Sequence, residues 1–248
     1  MTTLFISDLH LCEERPQIGT LFVRFLQETA GDAEALYILG DLFEYWIGDD
    51  QLGHDPFARE IALQLAKAAG RGTRIFFMHG NRDFLIGERF AKEARLTLLP
   101  DPALIMLAEQ RILLMHGDTL CTDDVAYQQF RAQVRDPAWQ ADVLRKSYAE
   151  RTLLARQIRS RSDVEKSMKA NDIMDVNAAA VATAFEKHRY PVMIHGHTHR
   201  PARHELVLDG HACTRWVLQD WYDRGGYLSA GGPREVLSAH AIEGVAAP

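Results

Sequence analysis

The chain has too few cysteines, too far apart, to build a disulfide framework or a thiolate metal site. Its three cysteines, Cys12, Cys121 and Cys213, are odd in number and form no C-x-x-C pair. Each is expected to be a small packed side chain. A thiolate zinc domain and a small disulfide-stapled scaffold are therefore excluded.

The sequence also lacks a long hydrophobic run. No apolar stretch approaches the roughly 20 residues that a membrane-spanning helix needs, and the amino terminus lacks the basic-then-apolar pattern of a signal peptide. With 248 residues, 47% of them hydrophobic and 25% charged, the chain can bury one substantial core and a small additional unit. We therefore expect a globular cytoplasmic protein.

Net positive charge is missing too, yet the basic residues are unevenly placed. The formal net charge is −6. Residues 131–169 contain ten basic and five acidic side chains, so this segment carries +5 and the remainder −11. A locally basic unit on an acidic protein indicates an anionic partner such as phosphates, a membrane surface or nucleic acid, although a solvated helix face can have the same composition.

The sequence is rich in short apolar runs that end in polar residues, usually beside a glycine. Five such runs are 4–7 before Asp8 and His10, 35–39 before Asp41, 74–78 before Asn81, 112–115 before His116, and 192–194 before His195, His197 and His199. Runs of this kind predict buried strands, and ligands gather beyond the carboxyl ends of strands in α/β sheets. One Asp-x-His pair alone fits structural polar residues as well as metal ligands. Because the pattern occurs five times, we expect one shared site.

The donors of this predicted site are oxygen and nitrogen atoms, without thiolate. Such a set suits Mn²⁺, Fe²⁺ or Zn²⁺ better than Ca²⁺. There are too many ligands for one ion. Two divalent ions bridged by one carboxylate can hold a bridging hydroxide, which attacks phosphorus as the nucleophile. Asp41 is the natural bridging carboxylate.

The stretch 123–170 interrupts the alternation of predicted strands and helices. Its apolar residues recur mostly three to five positions apart, which predicts two or three amphipathic helices and no strand. We interpret it as a helical insertion that forms a lid over the strand-end site, between core segments 1–122 and 171–248. Near the end of the chain, 216–221 and 227–229 predict an antiparallel hairpin.

The strand-end motifs together resemble the calcineurin-like metallophosphoesterase family over most of the chain. In chain order they are Asp8-x-His10, Gly40-Asp41, Gly80-Asn81, His116-Gly117-Asp118 and Gly196-His197-Thr198-His199. The resemblance implies a mixed α/β fold, a β-sandwich flanked by helices in four αββα layers, with a helical insertion. It also implies two bound ions, one among Asp8, His10, Asp41 and His199 and the other among Asp41, Asn81, His116 and His197. His195 would support these ligands, and His79 would be structural.

Arg82 departs from the family pattern, in which many members carry His after Gly-Asn as a candidate general acid. Arginine cannot donate its proton near neutrality, but it can hold a phosphate bidentately. A leaving group that is itself a phosphate, with a second pKa of about 6, needs little protonation. Arg82 therefore favours hydrolysis of a diphosphate, and a surface salt bridge with Asp83 is the alternative.

Further motifs are similar to a lipid-processing branch of the family. They are Gly80-Asn81-Arg82-Asp83, the basic insertion, 173–177 and 195–201. This similarity implies an enzyme with two Mn²⁺ that hydrolyses a nucleotide-linked diacyl sugar in lipid A biosynthesis. It implies Asp41, Asn81, Arg82 and His116 as catalytic residues, and substrate contacts from Asn81, Arg82, Asp124, Ser162, Lys166, Lys169 and His197. Lys166 stands where relatives can have Asn.

The basic amphipathic insertion fits a substrate with two phosphates and two acyl chains. Its helices could also touch the anionic inner face of the membrane, so we expect a monomer bound peripherally to the cytoplasmic face of the inner membrane. No nucleic-acid partner is expected. Two alternatives stay open: a cyclic-nucleotide phosphodiesterase or nuclease with the same two-ion core, and a non-catalytic binding scaffold, which should have lost ligands.

Overall fold

The computed structural model describes residues 2–107, 109–168, 175–231 and 236–243, with only the backbone described for 161–168 and 236. Within these residues, eleven strands form a six-stranded and a five-stranded sheet. The strands are β1 Thr3–Ile6, β2 Ala35–Ile38, β3 Arg74–Met78, β4 Leu96–Leu99, β5 Ala103–Leu107, β6 Gln110–Leu114, β7 Val192–His195, β8 Ala202–Leu208, β9 His211–Val217, β10 Gly225–Gly231 and β11 Val236–Ile242. The helices are α1 Pro16–Glu28, α2 Gln51–His54, α3 Pro56–Gly70, α4 Glu88–Ala94, α5 Val125–Val134, α6 Pro137–Leu144, α7 Tyr148–Met168 and α8 Ala178–Lys187.

Both sheets contain a parallel centre. The first has the order β11-β10-β1-β2-β3-β4, in which β1 to β4 are parallel. The second has the order β5-β6-β7-β9-β8, in which β6, β7 and β9 are parallel. Parallel strands need long crossovers, which helices α1, α3 and α4 supply in the first sheet. Strands β1, β2 and β7 are buried along their whole length, which explains their unbroken apolar runs.

Three apolar clusters separate four layers. Leu4 of β1 packs with the cluster that also contains residues of α1, α3 and α4, whereas its neighbour Phe5 packs between the two sheets with Ile112 and Ile194. Phe185 of α8 covers the outer face of the second sheet. Because successive strand residues point to opposite faces, one strand serves two clusters. The αββα fold predicted from the sequence is confirmed.

Helix α1 places part of the site through its contact with Trp221. Pro16 occupies its first turn, and its buried stripe includes Phe22 and Phe25. The ring of Trp221 meets these two rings edge-on, with centroids 6.1 and 5.6 Å apart. The backbone N–H of Trp221 in turn donates to the carbonyl of Asp8 at 3.0 Å. Packing of α1 therefore fixes the turn that follows β1.

Helices α5 to α7 follow β6 and are tied to the core by arginines. Arg151 is 4% exposed; it donates to the Ile47 carbonyl at 2.9 Å and pairs with Asp50. Arg135 donates to the Gly80 carbonyl at 2.8 Å. The limits of the insertion, 123–170, stay a prediction. Among the helices that the structure describes, none is long and apolar enough to cross a bilayer.

The predicted hairpin near the end of the chain is wrong. Strand β9 pairs with β7 and β8 in the second sheet, whereas β10 pairs with β1 and β11 in the first. The outer neighbours of β9 and β10 are the edge strands β8 and β11. Residues of β8 alternate only between exposed and half-buried. Such an edge strand leaves a weak hydrophobic pattern, so its true partner could not be recognised.

Candidate metal centre

The first group of predicted ligands meets where β1, β2 and β7 end. His10 Nε2 lies 3.3 Å from His199 Nε2 and 3.9 Å from Asp41 Oδ2. His199 Nε2 lies 3.4 Å from Asp8 Oδ1. The structure therefore brings these four side chains together, although they come from opposite ends of the chain.

The second group lies beside the first and adds the ends of β3 and β6. Asn81 Oδ1 is 3.0 Å from His116 Nε2 and 2.9 Å from His197 Nδ1. His116 Nε2 is 3.9 Å from Asp41 Oδ1. One carboxylate, Asp41, therefore faces both groups, as expected of a bridging residue.

The backbone of this site is strained in a consistent way. The φ angles of Asp8, His10, Asp41, His197 and His199 are 55°, 51°, 53°, 69° and 53°. This left-handed region is uncommon for residues other than glycine and costs about 1–3 kcal/mol per residue. Backbone hydrogen bonds hold it, since the Asp8 and His10 N–H groups donate to the carbonyls of Gly40 and Asp41 at 3.1 and 2.9 Å. Strain concentrated in one place points to a functional site.

Two glycines allow the backbone to approach these carboxylates. A Cβ on Gly80 would collide with the side chain of Asp41, and a Cβ on Gly196 would collide with those of Asp8 and Ser7. Each neighbour is a buried group that makes at least one hydrogen bond, so it cannot move away cheaply. The glycines beside the predicted ligands are therefore required by space.

Asp83 organises the turn that carries Asp41. Its side chain is fully buried and accepts hydrogen bonds from the N–H groups of Leu42 at 2.7 Å, Gly80 at 2.9 Å and Asp41 at 3.3 Å. Burial raises the pKa of Asp83, and these N–H groups oppose that rise. The alternative of a surface salt bridge between Arg82 and Asp83 is wrong, because Asp83 is inside the protein and serves the backbone.

The imidazoles of the site differ in their protonation. Burial lowers the pKa of His197 to about 3 and that of His10 well below its usual range, which keeps both neutral and able to bind a cation. Burial would also lower the pKa of His116, but nearby carboxylates, Asp41 foremost, outweigh it and raise the pKa to about 9. Burial raises the pKa of Asp41 to about 7. Cation binding at His116 would therefore release a proton.

These residues fit a pair of divalent cations. Oxygen and nitrogen donors of Asp8, His10 and the half-buried His199 lie within 4.8 Å of one another, and so do those of the buried Asp8, Asp41 and His116. Asp8 Oδ1 and His10 Nδ1 are buried without a hydrogen-bond partner. A buried acceptor with no donor is costly in a folded protein and indicates a missing ion. The donor chemistry suits Mn²⁺, Fe²⁺ or Zn²⁺.

A cavity of about 590 Å³ opens directly from this cluster. His10, Asp41 and Asn81 lie at its polar end. Beside charged residues such as Glu44, Arg82 and Arg159, the remaining wall has many apolar side chains from the core and from α5 to α7, among them Tyr45, Trp46, Phe84, Phe130, Trp139 and Ile158. The helices after β6 therefore cover the polar cluster with an apolar surface.

Four of the predicted substrate contacts, Asn81, Arg82, Asp124 and His197, line this cavity. Asp124 also caps α5, where it accepts from the Tyr127 N–H at 3.1 Å. Ser162 and Lys166 belong to α7, but their side chains lie outside the described ones, and Lys169 lies outside the described residues. The catalytic and substrate-binding roles assigned to these residues stay predictions.

Sequence reasoning gave no role to three buried polar residues around the site. Asp118 accepts from the Tyr127 hydroxyl at 2.7 Å and from Arg131 Nε at 2.8 Å. Burial would raise the pKa of Asp118, but cationic groups, His116 foremost, outweigh it and lower that pKa. Asp83 holds the turn after β2, and Glu44 faces arginines at the cavity wall. Asp118 and Asp83 stood in recognised motifs, His116-Gly117-Asp118 and Gly80-Asn81-Arg82-Asp83, whereas Glu44 stood in none.

The two histidines expected to support the ligands or the fold make backbone contacts. His195 is buried; its Nδ1 lies 2.8 Å from the Gly196 carbonyl, and its Nε2 lies 2.9 Å from Arg215 Nη1. His79 Nε2 lies 2.7 Å from the Ile86 carbonyl. Both therefore stand behind the site and position its turns.

Comparison with known proteins gives one consistent family. The profile of calcineurin-like phosphoesterases matches residues 1–201. A UDP-2,3-diacylglucosamine hydrolase of Aromatoleum aromaticum is 55% identical over 228 residues, covering 92% of each chain. The proteins of the same name from Azotobacter vinelandii and Pseudomonas aeruginosa PAO1 are 50% and 51% identical, covering 98% and 95% of this chain and 100% and 98% of theirs.

Proposed function

The chain belongs to the calcineurin-like phosphoesterase family, and we propose that it hydrolyses UDP-2,3-diacylglucosamine, the substrate for which its curated relatives are named. The products are UMP and 2,3-diacylglucosamine 1-phosphate, a step of lipid A biosynthesis. Water attacks the phosphorus on the uridine side, and the bond from that phosphorus to the bridging oxygen breaks. The observation that carries the proposal is a metal-binding cluster at the polar end of an apolar cavity.

Seven residues hold two Mn²⁺ in this proposal. Asp8, His10, Asp41 and His199 would hold one ion, and Asp41, Asn81, His116 and His197 would hold the other. Two divalent ions bound there would activate water and neutralise charge on the phosphate. The unpartnered Asp8 Oδ1 and the neutral imidazoles of His10 and His197 support this assignment.

Arg82 stabilises the departing sugar phosphate. Its guanidinium is 13% exposed and lies at the cavity wall, while its backbone N–H donates to Asp41 Oδ1 at 2.8 Å. One residue therefore links the proposed bridging carboxylate to the phosphate site. The leaving phosphate needs charge stabilisation more than a proton, which a guanidinium provides.

The apolar part of the cavity receives acyl chains. Phe84 of the core and Phe130, Trp139 and Ile158 of the covering helices line this part, and the rings of Phe84 and Trp139 lie with their centroids 6.2 Å apart. A volume of about 590 Å³ lined by aromatic and aliphatic groups is of the size that buries a lipid-like ligand. The substrate contacts expected of Asp124, Ser162, Lys166 and Lys169 come from the segment that forms this cover.

We place the protein peripherally on an anionic membrane surface, as a monomer. Leu144 and Leu153 of α6 and α7 are exposed by 45% and 58%, in the segment 131–169 that carries the excess of basic residues. Exposed apolar side chains together with cations favour a membrane interface. Sedimentation with vesicles of phosphatidylglycerol but not of phosphatidylcholine alone is the expected result.

The test compares substrates on the purified chain with Mn²⁺. UDP-2,3-diacylglucosamine should be hydrolysed at least about 100-fold more efficiently than cyclic AMP or single-stranded DNA, a discrimination that polar and apolar contacts can supply. In ¹⁸O-labelled water the label should appear in UMP. Asp41→Asn serves as the inactive control. Nuclease activity of matching efficiency, or label in the sugar phosphate, would overturn the assignment.

A further inference from the structure

Glu44 is a buried carboxylate surrounded by three guanidinium groups. Its side chain is 4% exposed, although it lines the cavity. Glu44 Oε2 lies 2.8 Å from Arg15 Nη2, and Glu44 Oε1 lies 3.1 Å from Arg159 Nη1 and 3.5 Å from Arg82 Nη1. One carboxylate therefore faces three guanidinium groups.

The three arginines come from separate parts of the chain. Arg15 precedes α1, Arg82 follows β3, and Arg159 belongs to α7. Glu44 follows β2, three residues after Asp41, and its Oε2 lies 3.8 Å from His10 Nδ1. This carboxylate therefore joins the helix that covers the cavity to the core beside the metal-binding cluster.

The excess of cations is unexpected for a purely structural ion pair. One arginine would suffice to pair Glu44, and three guanidiniums held around one carboxylate repel one another. Arg159 is 44% exposed and could turn to solvent, yet it points at Glu44. Guanidinium groups gathered at the wall of a cavity that also holds a metal-binding cluster suit a phosphate group.

We propose that Glu44 is a positioning residue that gathers Arg15, Arg82 and Arg159 into one clamp for the sugar-side phosphate and thereby holds α7 over the metal site. The clamp's ligand class, a phosphomonoester or diphosphate, rests on the proposed function. The positioning of α7 does not, since it follows from the contacts of Glu44 alone.

Positioning and simple neutralisation of charge predict opposite results for Glu44→Gln. If Glu44 only neutralised the arginines, its loss would leave more positive charge, tighter phosphate binding and an unchanged cover. If Glu44 positions them, turnover falls and α7 loosens. Misplaced groups in an active site typically cost about 10- to 100-fold in rate, and we expect a loss of that size in kcat with KM changed less than about threefold.

The first readout is hydrogen exchange of the peptide covering 152–160 in EDTA-treated protein, which needs neither metal nor activity. Glu44→Gln should speed exchange there at least about fivefold, because the contact with Arg159 is lost. Glu34→Gln is the matched control, since Glu34 pairs with Arg74 at the surface at 2.6 Å. It should change neither exchange in 152–160 nor kcat. Unchanged exchange in Glu44→Gln would overturn the proposal.

A double-mutant cycle separates Glu44 from a general structural effect. If Glu44 acts through Arg159, the kcat loss of Glu44→Gln combined with Arg159→Ala should be well below the product of the single losses. Fully multiplicative losses would contradict the clamp. Should Glu44→Gln fail to fold, Glu44→Asp is the second variant, because it keeps the charge but has a shorter side chain. It should also speed hydrogen exchange in 152–160 and lower kcat. Wild-type values of both would refute the clamp.

Failure of the proposed function would look different. In that case the wild-type chain would not hydrolyse UDP-2,3-diacylglucosamine, yet exchange in 152–160 would still respond to Glu44→Gln. Conversely, hydrolysis with wild-type exchange and wild-type kcat in Glu44→Gln would leave the function standing and remove the clamp. Calorimetry with glucosamine 1-phosphate then measures the affinity of the phosphate site directly. If Glu44→Gln binds this ligand as tightly as the wild type or more tightly, and its kcat is unchanged, then Glu44 only neutralises the arginines.

Discussion

Replacing Asp83 with alanine should cost much of the protein's stability, because its carboxylate is the acceptor for a set of buried backbone donors. The shortest two bonds come from the N–H groups of Leu42 and Gly80, at 2.7 and 2.9 Å. Each buried donor left without an acceptor costs about 1–3 kcal/mol, so the two together cost about 2–6 kcal/mol. A typical domain has only about 5–15 kcal/mol of stability in total.

Asp83→Asn should be milder. It keeps one acceptor oxygen and removes a buried charge whose pKa burial raises, so part of the lost hydrogen bonding is offset. The assay is urea unfolding of EDTA-treated protein followed by circular dichroism. Glu93→Ala is the control, because Glu93 is an exposed carboxylate of α4 that pairs with Arg89 of the same helix at 3.0 Å. A free energy of unfolding for Asp83→Ala within about 1 kcal/mol of wild type would refute the reasoning.

Three further predictions follow from the same geometry. Arg82→Ala should lower kcat about 100-fold, whereas Lys166→Ala should lower it less than about tenfold; comparable losses would remove Arg82 from the phosphate site. Asp118→Asn should lower stability at pH 7 by about 1–3 kcal/mol, because Arg131 loses the carboxylate that its Nε contacts at 2.8 Å and keeps the more distant one of Asp101, at 3.7 Å. The pKa of Asp118 is lower in the folded protein than its ordinary value of 3.8, so its contribution to the free energy of unfolding is present above pH 3.8 and is lost as the pH falls towards the folded pKa. Below pH 4, the free energy of unfolding in urea should therefore fall less steeply for Asp118→Asn than for the wild type. Parallel pH curves for the two proteins would contradict this. EDTA should abolish hydrolysis and Mn²⁺ should restore it, and full activity in EDTA would exclude metal catalysis.

The convergence of these side chains could be predicted because each one directly follows a strand in the sequence. Asp8, Asp41, Asn81, His116 and His197 each follow a buried apolar run, and the carboxyl ends of parallel strands lie at one edge of a sheet. The pattern of apolar runs was therefore enough to indicate one shared cluster, whereas the αββα fold was implied by the resemblance of the ordered motifs to a known family.

The remainder depends on contacts that leave no periodic signal. Asp83 bonds to backbone N–H groups, which every residue has, so nothing in the sequence marks its partners. Glu44 meets Arg159 of a distant helix, and a single charged residue within an aromatic stretch does not reveal that. The pairing of β10 with β1 joins residues near the two ends of the chain, which a local hairpin pattern cannot indicate.

The account rests on two cations held by side chains from five strand ends. Anomalous diffraction from crystals grown with Mn²⁺ tests this most directly. We expect two manganese peaks per chain, one touching Asp8, His10 and His199, the other touching Asn81, His116 and His197, with Asp41 in contact with both. A single peak, or two peaks that do not share Asp41, would contradict the proposed centre and the hydrolysis that depends on it.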